Sequence, residues 1–439
     1  MANSKTLAEM EQSVPDSDAR KRLAAFFDEN SFKELDKFLS ADGEVSSVVA
    51  GAGDVFGLTV YAFAQDVSVK GGAVNKSAAL KIKRVYELAA KNGSPVVGFF
   101  DSKGGDINEG MAVLSAYGDI MKASAKISGV VPQIAVVTGV CAGCAAMIAA
   151  MADIVIATEK SELFLTAPFN NEDGKLEGAG SAMNAAKAGV VQILANDADD
   201  AVSKAKTLIA VLPENNLSVG FIDAPENDAA VSASQKSAEL VAAIAQKGSV
   251  IELGEKFGAA AYTALGAVSG YTAAFVATDK AAKLTSADCA KIARFVQLAD
   301  LFSLPVITLV NTEGFEGSSA AELSGSVRDC ARLAQVYATA TTVKVNVVTG
   351  KAFGAAYAAF DGADMSFAWE NAQIAPMNPE AGKVFMGEEL VTNPFAAASL
   401  GMIDGVINPA DTREAISNAL AMCGTKNESF ARKRANYTF

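Results

Sequence analysis

One stretch of this chain occurs twice. Residues 136–168, VVTGVCAGCAAMIAAMADIVIATEKSELFLTAP, align without a gap to residues 347–379, VVTGKAFGAAYAAFDGADMSFAWENAQIAPMNP, at a constant spacing of 211. Gly139/Gly350, Gly143/Gly354, Asp153/Asp364 and Pro168/Pro379 are identical pairs within it. Upstream, at a spacing of 210, Lys81-Ile82-x-Arg84 and Leu88-Ala89 match Lys291-Ile292-x-Arg294 and Leu298-Ala299. Pro95 and Gly104 match Pro305 and Gly314 at that same spacing, and Gly57-x-Thr59 and Asp66 match Gly270-x-Thr272 and Asp279 at 213. Such small drifts are loop insertions. A repeat this long dictates two copies of one fold, and 439 residues suffice for two ordinary cores. The polar PENDAAVSAS stretch, Pro225–Ser234, marks the expected boundary, giving domains 1–230 and 231–439.

Both copies read as alternating strands and helices. β-rich runs (Leu58–Ala64, Tyr271–Ala277) precede helices with apolar residues spaced three and four apart (Ala79–Ala90, Ala287–Phe302). A buried strand follows a proline in each (Val96–Phe100, Val306–Val310), then a Gly-rich loop and another helix. A second buried strand (Ile134–Thr138, Val345–Thr349) runs through Thr-Gly into an Ala-rich helix (Ala145–Met151, Ala356–Phe360), and a further strand lies near Ile154 or Met365. This alternation predicts an α/β fold whose sheets are covered on their faces. Helical periodicity from Asn171 to Ala245 is expected to close the first domain.

The chain contains no histidine. That removes Ser-His and Cys-His nucleophiles, histidine-bound zinc and imidazole bases together. A net charge of −13 argues against a nucleic-acid surface, and the polar N-terminus and interrupted apolar runs predict a cytoplasmic protein without a membrane span. The five cysteines fit reduced thiols, and Cys141-x-x-Cys144 has no second half to complete a metal site, so no metal is expected. Chemistry must come from carboxylates, lysines, tyrosines, backbone amides or the ligands. The small residues Gly143-Cys144-Ala145 and Gly354-Ala355-Ala356 leave N–H groups uncovered where a buried strand meets a helix. Such groups stabilise an oxyanion, although small residues at such turns also serve close strand–helix packing.

Several segments together carry a family likeness. AFAQDVSVKGG (62–72), DSKGGDINEG (101–110) and PQIAVVTGVCAGCAAM (132–147) resemble the N-terminal half of biotin-dependent acyl-CoA carboxyltransferase subunits, of the propionyl-CoA carboxylase and methylmalonyl-CoA decarboxylase type. LPVITLVNTEGFEGSSAAELSG (304–325), KAFGAAY (351–357), GADMSFAWENAQIA (362–375) and NPFAAASLGMIDGVINPADTR (393–413) are similar to their C-terminal half. RLAAFFDENSFKELD (22–36) is similar as well, so the resemblance spans nearly the whole chain in order. It implies two tandem crotonase-like (ClpP/crotonase) ββα-superhelix domains, the first serving acyl-CoA and the second biotin. Active sites would form where the first domain of one subunit meets the second of another, in a homo-oligomer that is a hexameric trimer of dimers.

By position in the family, Gly143 and Cys144 would give amides to the thioester enolate, and Ala355 and Ala356 to the ureido oxygen of biotin. Gly104, Gly105, Ala142, Gly314 and Phe315 would line the acyl-CoA; Gly354, Tyr357 and Ala358 would line biotin, with Ala358 where acyl-chain preference is set. Carboxybiotin would release CO2, its ring nitrogen would take the thioester α-proton, and the thioester enolate would capture the CO2. No side-chain base is needed. The chain holds no Ala-Met-Lys-Met tetrapeptide, so biotin is expected on a separate carrier protein, with a biotin carboxylase or membrane decarboxylase subunits as further partners. Departures from the family include Cys144 and Ala355 at glycine positions and Asp106 in place of a cation. The alternatives are a sodium-pumping decarboxylase component, a catalytically degenerate scaffold paralogue, and a hydratase using Glu109 and Glu162 as acid and base. Lys103, Lys160 and Lys351 are candidates for CoA phosphate contacts, and Trp369 and Tyr357 are expected to pack.

Overall fold

Each repeat opens on a tight hairpin that its glycine makes possible. In the computed structural model, strands β2 (Val48–Val55) and β3 (Leu58–Gln65) are joined by Phe56-Gly57, with φ +52° and +78°. Strands β10 (Ala261–Val268) and β11 (Tyr271–Thr278) are joined by Ser269-Gly270, with φ +52° and +83°. Two successive positive φ values give the twist that antiparallel strands with a two-residue loop require, which accounts for the repeated glycine. The structure describes residues 6–12, 14, 16–41, 44–170, 172, 178–278 and 283–428; Asp279 and the tail at 432–436 lie outside them.

The chain divides into two compact units, Met1–Ser218 and Val219–Phe439, so the division falls shortly ahead of the PENDAAVSAS stretch. In the first unit the hairpin continues into β4 (Val96–Ser102), β5 (Gln133–Ala142), β6 (Ile154–Thr158), β7 (Glu162–Phe164) and β8 (Ile193–Ala195), with β1 (Lys33–Leu35) at the start. The sheet order is β1-β2-β3-β4-β5-β6-β8, with β7 paired to β5. β2 runs antiparallel to both β1 and β3, and all later pairings are parallel. The second unit repeats this order with β9 (Ile251–Glu252), β10, β11, β12 (Val306–Thr312), β13 (Lys344–Phe353), β14 (Met365–Trp369) and β16 (Gly405–Ile407), and β15 (Gln373–Ala375) paired to β13.

Parallel strands need covered faces. Helices α1 (Lys76–Asn92) and α2 (Ala112–Ile127) bury Ile82, Val85, Tyr117 and Ile120 in the first core. The second unit has α4 (Ser286–Leu301) and α5 (Ser326–Thr339) at the equivalent places. Asn75 caps α1 by accepting from Ala78 N–H at 2.9 Å, and Gly93 ends it at φ +65°. Among the described residues of Asn171–Ala245, helices form at Ala182–Lys187, Ala198–Val211 and Ser237–Ile244. Residues 212–236 form no helix, because Pro213, Pro225 and the polar residues between them offer no apolar stripe. Among the described residues no helix is long and apolar enough to cross a membrane.

A buried lysine ties each hairpin to its first long helix. Lys81, 2% exposed, donates from Nζ to the carbonyl of Val48 at 2.9 Å. Lys291 donates to Ala261 at 2.6 Å, and burial lowers its ammonium pKa to about 8. Each accepting carbonyl belongs to the first residue of β2 or β10. The repeated Lys-Ile-x-Arg is therefore a clamp from α1 to β2 and from α4 to β10.

The central strand pair is irregular at the same place in both units. Phe100 pairs with Val137 and Ser102 with Cys141, so β5 takes four steps where β4 takes two. Val310 pairs with Val348 and Thr312 with Ala352 in the same way. The bulge is held by the side chain between the paired residues: Asp101 Oδ1 accepts from Val140 N–H at 3.3 Å, and Asn311 Oδ1 from Lys351 N–H at 3.0 Å. A Cβ at Gly139 would overlap the Asp101 carboxylate, and one at Gly350 the Asn311 amide. Gly139→Ala is expected to lose about 1–3 kcal/mol by overpacking, read as a lower urea midpoint; an unchanged midpoint would show that the bulge tolerates a methyl.

Candidate active site

Past the bulge, β5 delivers Ala142 and Gly143 to helix α3 (Cys144–Ala150). Gly143 stands at φ +59°, ψ −122°, a region open to glycine alone. Its N–H donates to the carbonyl of Phe164 on β7 at 2.8 Å, and its carbonyl accepts from Met147 at 3.2 Å. The amide expected from Gly143 is thus already committed. Gly143 makes the turn and caps the helix, and the first uncommitted donor is Cys144 N–H, which has no intrahelical acceptor.

A second donor comes from the loop after β4. Gly104, at φ +115°, accepts from Val74 N–H at 2.9 Å, while Asp106 N–H donates to Val74 O at 2.9 Å. The peptide groups on both sides of Gly105 are engaged, and among the described residues Gly105 N–H meets no acceptor. Ser102 and Cys141 are register partners, and Gly105 and Cys144 each lie three residues beyond them. One uncommitted N–H therefore follows each of two register-paired strand positions.

The second unit rebuilds this pair. Thr312 and Ala352 are register partners, with Phe315 and Ala355 three residues further on. Gly314, at φ +117°, accepts from Leu284 N–H at 2.9 Å, and Glu316 N–H donates to Leu284 O at 2.9 Å. Among the described residues Phe315 N–H, between them, meets no acceptor. Gly354, at φ +63°, opens α6 (Gly354–Phe360), in whose first turn the N–H groups of Ala355 and Ala356 have no intrahelical acceptor. Gly105 and Phe315, expected along a ligand, thus also offer amide donors, which the sequence marks only indirectly. The signal was present in the repeated Gly104/Gly314, one residue ahead of each.

The glycine departures fall where the backbone tolerates them. Positive φ belongs to Gly143 and Gly354; Cys144 and Ala355 are not among the residues with left-handed backbone. Their N–H groups survive the loss of glycine, and what is added is a wall: a half-buried Cys144 side chain and an exposed Ala355 methyl. Cys141, by contrast, is fully buried, and desolvation pushes its thiol well above the usual range.

Charged side chains near the turns are already engaged. Lys70 Nζ binds Asp106 at 3.1 Å and holds that carboxyl below the usual range. Lys351 is in ion-pair contact with Glu313, whose carboxyl it likewise lowers. Glu109 caps α1 by accepting from Lys76 N–H at 2.9 Å, and Glu162 lies exposed on β7. Ala142 is half-buried and Ala358 exposed. Tyr357 is half-buried, its hydroxyl pushed up to about 12 by burial and then by Asp361. Trp369 packs, donating from Nε1 to Thr412 Oγ1 at 2.8 Å. Among the described residues no cluster of three or more Cys, Asp or Glu gathers as a metal site would need.

Comparison with known proteins identifies the family and the fold. The model of the carboxyl transferase domain matches residues 17–388. The chain is 33% identical to methylmalonyl-CoA decarboxylase subunit alpha of Veillonella parvula, covering 95% of this chain and 92% of that protein. It is 32% identical to the methylmalonyl-CoA carboxyltransferase 12S subunit of Propionibacterium freudenreichii subsp. shermanii, covering 95% and 91%. It is 33% identical to the propionyl-CoA carboxylase beta chain of Saccharopolyspora erythraea, covering 95% and 89%. The crystal structure of the transcarboxylase 12S hexamer with hydrolysed methylmalonyl-coenzyme A superposes with a TM-score of 0.91 at 32% identity, over 99% of this chain and 94% of that one. The fold is therefore the crotonase-like, two-domain carboxyltransferase fold.

Because Gly143 and Gly354 hold conformations that a side chain strains, Gly143→Ala and Gly354→Ala are each expected to cost about 1–3 kcal/mol. Cys144→Gly is expected to keep the turn. Denaturant unfolding of the three variants checks this, and equal midpoints for all would remove the special place of the two glycines.

Proposed function

The chain belongs to the carboxyl transferase domain family, and on that premise we propose that it is the carboxyltransferase component that moves CO2 between carboxybiotin on a separate carrier protein and the α-carbon of an acyl-CoA thioester. The observation that supports the reading is the pair of equivalent amide sets, one per unit, each with two uncommitted N–H groups that follow register-paired strand positions.

Both ligands present an oxygen that gains negative charge during transfer. In the first unit the N–H groups of Gly105 and Cys144 suit the thioester oxygen; in the second, those of Phe315 and Ala355, with Ala356 behind, suit the ureido oxygen of biotin. Preorganised backbone donors stabilise such charge without reorganising, and losing one typically costs about 10²–10³ in rate. Once bound, carboxybiotin supplies the carboxyl group and the ring nitrogen that accepts the α-proton. This chain's part is to hold both oxygens and to shape the walls, with Cys144 narrowing the thioester side and Tyr357 and Ala358 lining the biotin side. Gly104, Ala142 and Gly314 supply the close backbone approach along the ligands. No histidine is available as base, and this division of labour needs none.

The likeness to a decarboxylase subunit alpha supports running the same transfer in reverse as a second reading; microscopic reversibility gives both directions one site. Assembly as a hexamer is proposed by likeness to the 12S structure, whose description names a hexamer and a multienzyme core. A carrier protein and a biotin carboxylase, or membrane decarboxylase subunits, complete the set of partners.

The test is a transcarboxylation screen of acetyl-, propionyl-, methylmalonyl-, malonyl- and glutaconyl-CoA with free biotin. Biotin-dependent exchange is expected with at least one of them. Absence of exchange with all five, in protein that still assembles with partner subunits, would instead identify a scaffold. Biotin-independent turnover of an enoyl-CoA would identify a hydratase.

A further inference from the structure

The helix half of each amide pair is fixed by its strand, but the loop half hangs on little. Gly314-Phe315 is a short excursion at φ +117°, pinned by the bridge to Leu284 and by Thr312 Oγ1, which receives Gly314 N–H at 3.2 Å. Gly104-Gly105 is held by Val74 and by Ser102 Oγ, at 3.1 Å, with Lys103 N–H donating to the carbonyl of Gly71 at 3.1 Å. An oxyanion donor has to be placed to within about 0.5 Å, so a loop so lightly held needs a further anchor.

Each unit supplies one, from a different side. In the first, Lys70 reaches Asp106, the residue directly after Gly105. In the second, Lys351 leaves the bulged stretch of β13 and reaches Glu313, two residues before Phe315. The anchors are not copies of each other. The first-unit counterparts of Glu313 and Lys351 are Lys103 and Val140, which form no such pair. Glu316, the counterpart of Asp106, accepts from Ser318 Oγ at 2.9 Å instead. Two unrelated pairs of residues have arrived at one mechanical result.

We propose that one ion pair per unit, Lys70–Asp106 beside Gly105 and Lys351–Glu313 beside Phe315, fixes the loop half of each amide pair, making these four side chains positioning residues for the two oxyanion sites. The role of the amides rests on the carboxyltransferase reading; the mechanical role of the ion pairs does not. The pair in the second unit is half-exposed, with side-chain exposures of 39% and 30%. It therefore adds little to global stability, which sets anchoring apart from folding.

The experiment is a cycle of Lys351→Met, Glu313→Gln and the double variant, read by backbone amide hydrogen exchange of residues 313–317, thermal midpoint and biotin-dependent turnover. Each single variant is expected to speed exchange in that segment and to lower turnover about tenfold, since small misplacements of such groups cost up to about 10². The double variant is expected to be no worse than either single one, Lys351→Arg to restore both readouts, and the midpoint to stay put. Asp106→Asn is expected to speed exchange around Gly105 and leave residues 313–317 alone. Unaltered exchange in 313–317 overturns the proposal. So does a rise in turnover in Glu313→Gln beside a fall in Lys351→Met, because Lys351 would then act by its own charge. Wild-type protein without transfer activity would sink the carboxyltransferase reading, while hydrogen exchange would still decide the anchoring.

Discussion

The site depends on one side chain per unit filling the gap between two parallel strands. Asp101 in the first unit and Asn311 in the second sit where β5 or β13 bulges away from its neighbour, and each accepts the strand's N–H. A parallel ladder without this filler would leave peptide groups unpaired in a buried place. With it, the strand can rise, turn at a glycine and start a helix whose first amides face outward. The carboxyl of Asp101 is raised above its usual range by burial, with Arg22 and Val140 N–H pulling the other way. The neutral Asn311 does the same work without a charge to desolvate.

Duplication has kept the frame and changed its contents. The type I′ hairpin, the buried lysine, the bulge and the glycine turn recur in both units. What differs is which residues carry the uncommitted N–H groups: Gly105 against Phe315, Cys144 against Ala355. Frame residues are tied to several neighbours at once, as Lys291 is to Gly258 and Ala261, so a change there leaves a buried polar group without a partner. Residues beside the uncommitted amides would, under the proposed function, answer to the ligand and be free to diverge.

This contrast decides what the sequence made legible. Strands and helices of the repeated frame are readable to within a few residues because period and turn chemistry are local, as Leu58–Gln65 and Ser286–Leu301 show, whereas the helical expectation over 212–236 fails. The commitment of individual N–H groups was not readable. Gly143 looks like a donor in the sequence and is spent on Phe164, a residue brought beside it only by the short strand β7. Gly105 and Phe315 gain their freedom from bridges to Val74 and Leu284, about thirty residues upstream. Hydrogen-bond bookkeeping of this kind is tertiary, and no local pattern encodes it.

The same bookkeeping accounts for the loss of glycine at Cys144 and Ala355. A donor contributed by the backbone is indifferent to its side chain as long as φ stays negative, and the left-handed step is taken one residue earlier, at Gly143 and Gly354. Stabilising charge through amides thus separates the chemistry from the pocket's shape: the N–H is kept whatever residue carries it, and the side chain is released to set the width of the site. A chain without a single histidine can diverge in this way and keep its donors in place, because the uncommitted N–H groups belong to the backbone and not to side chains.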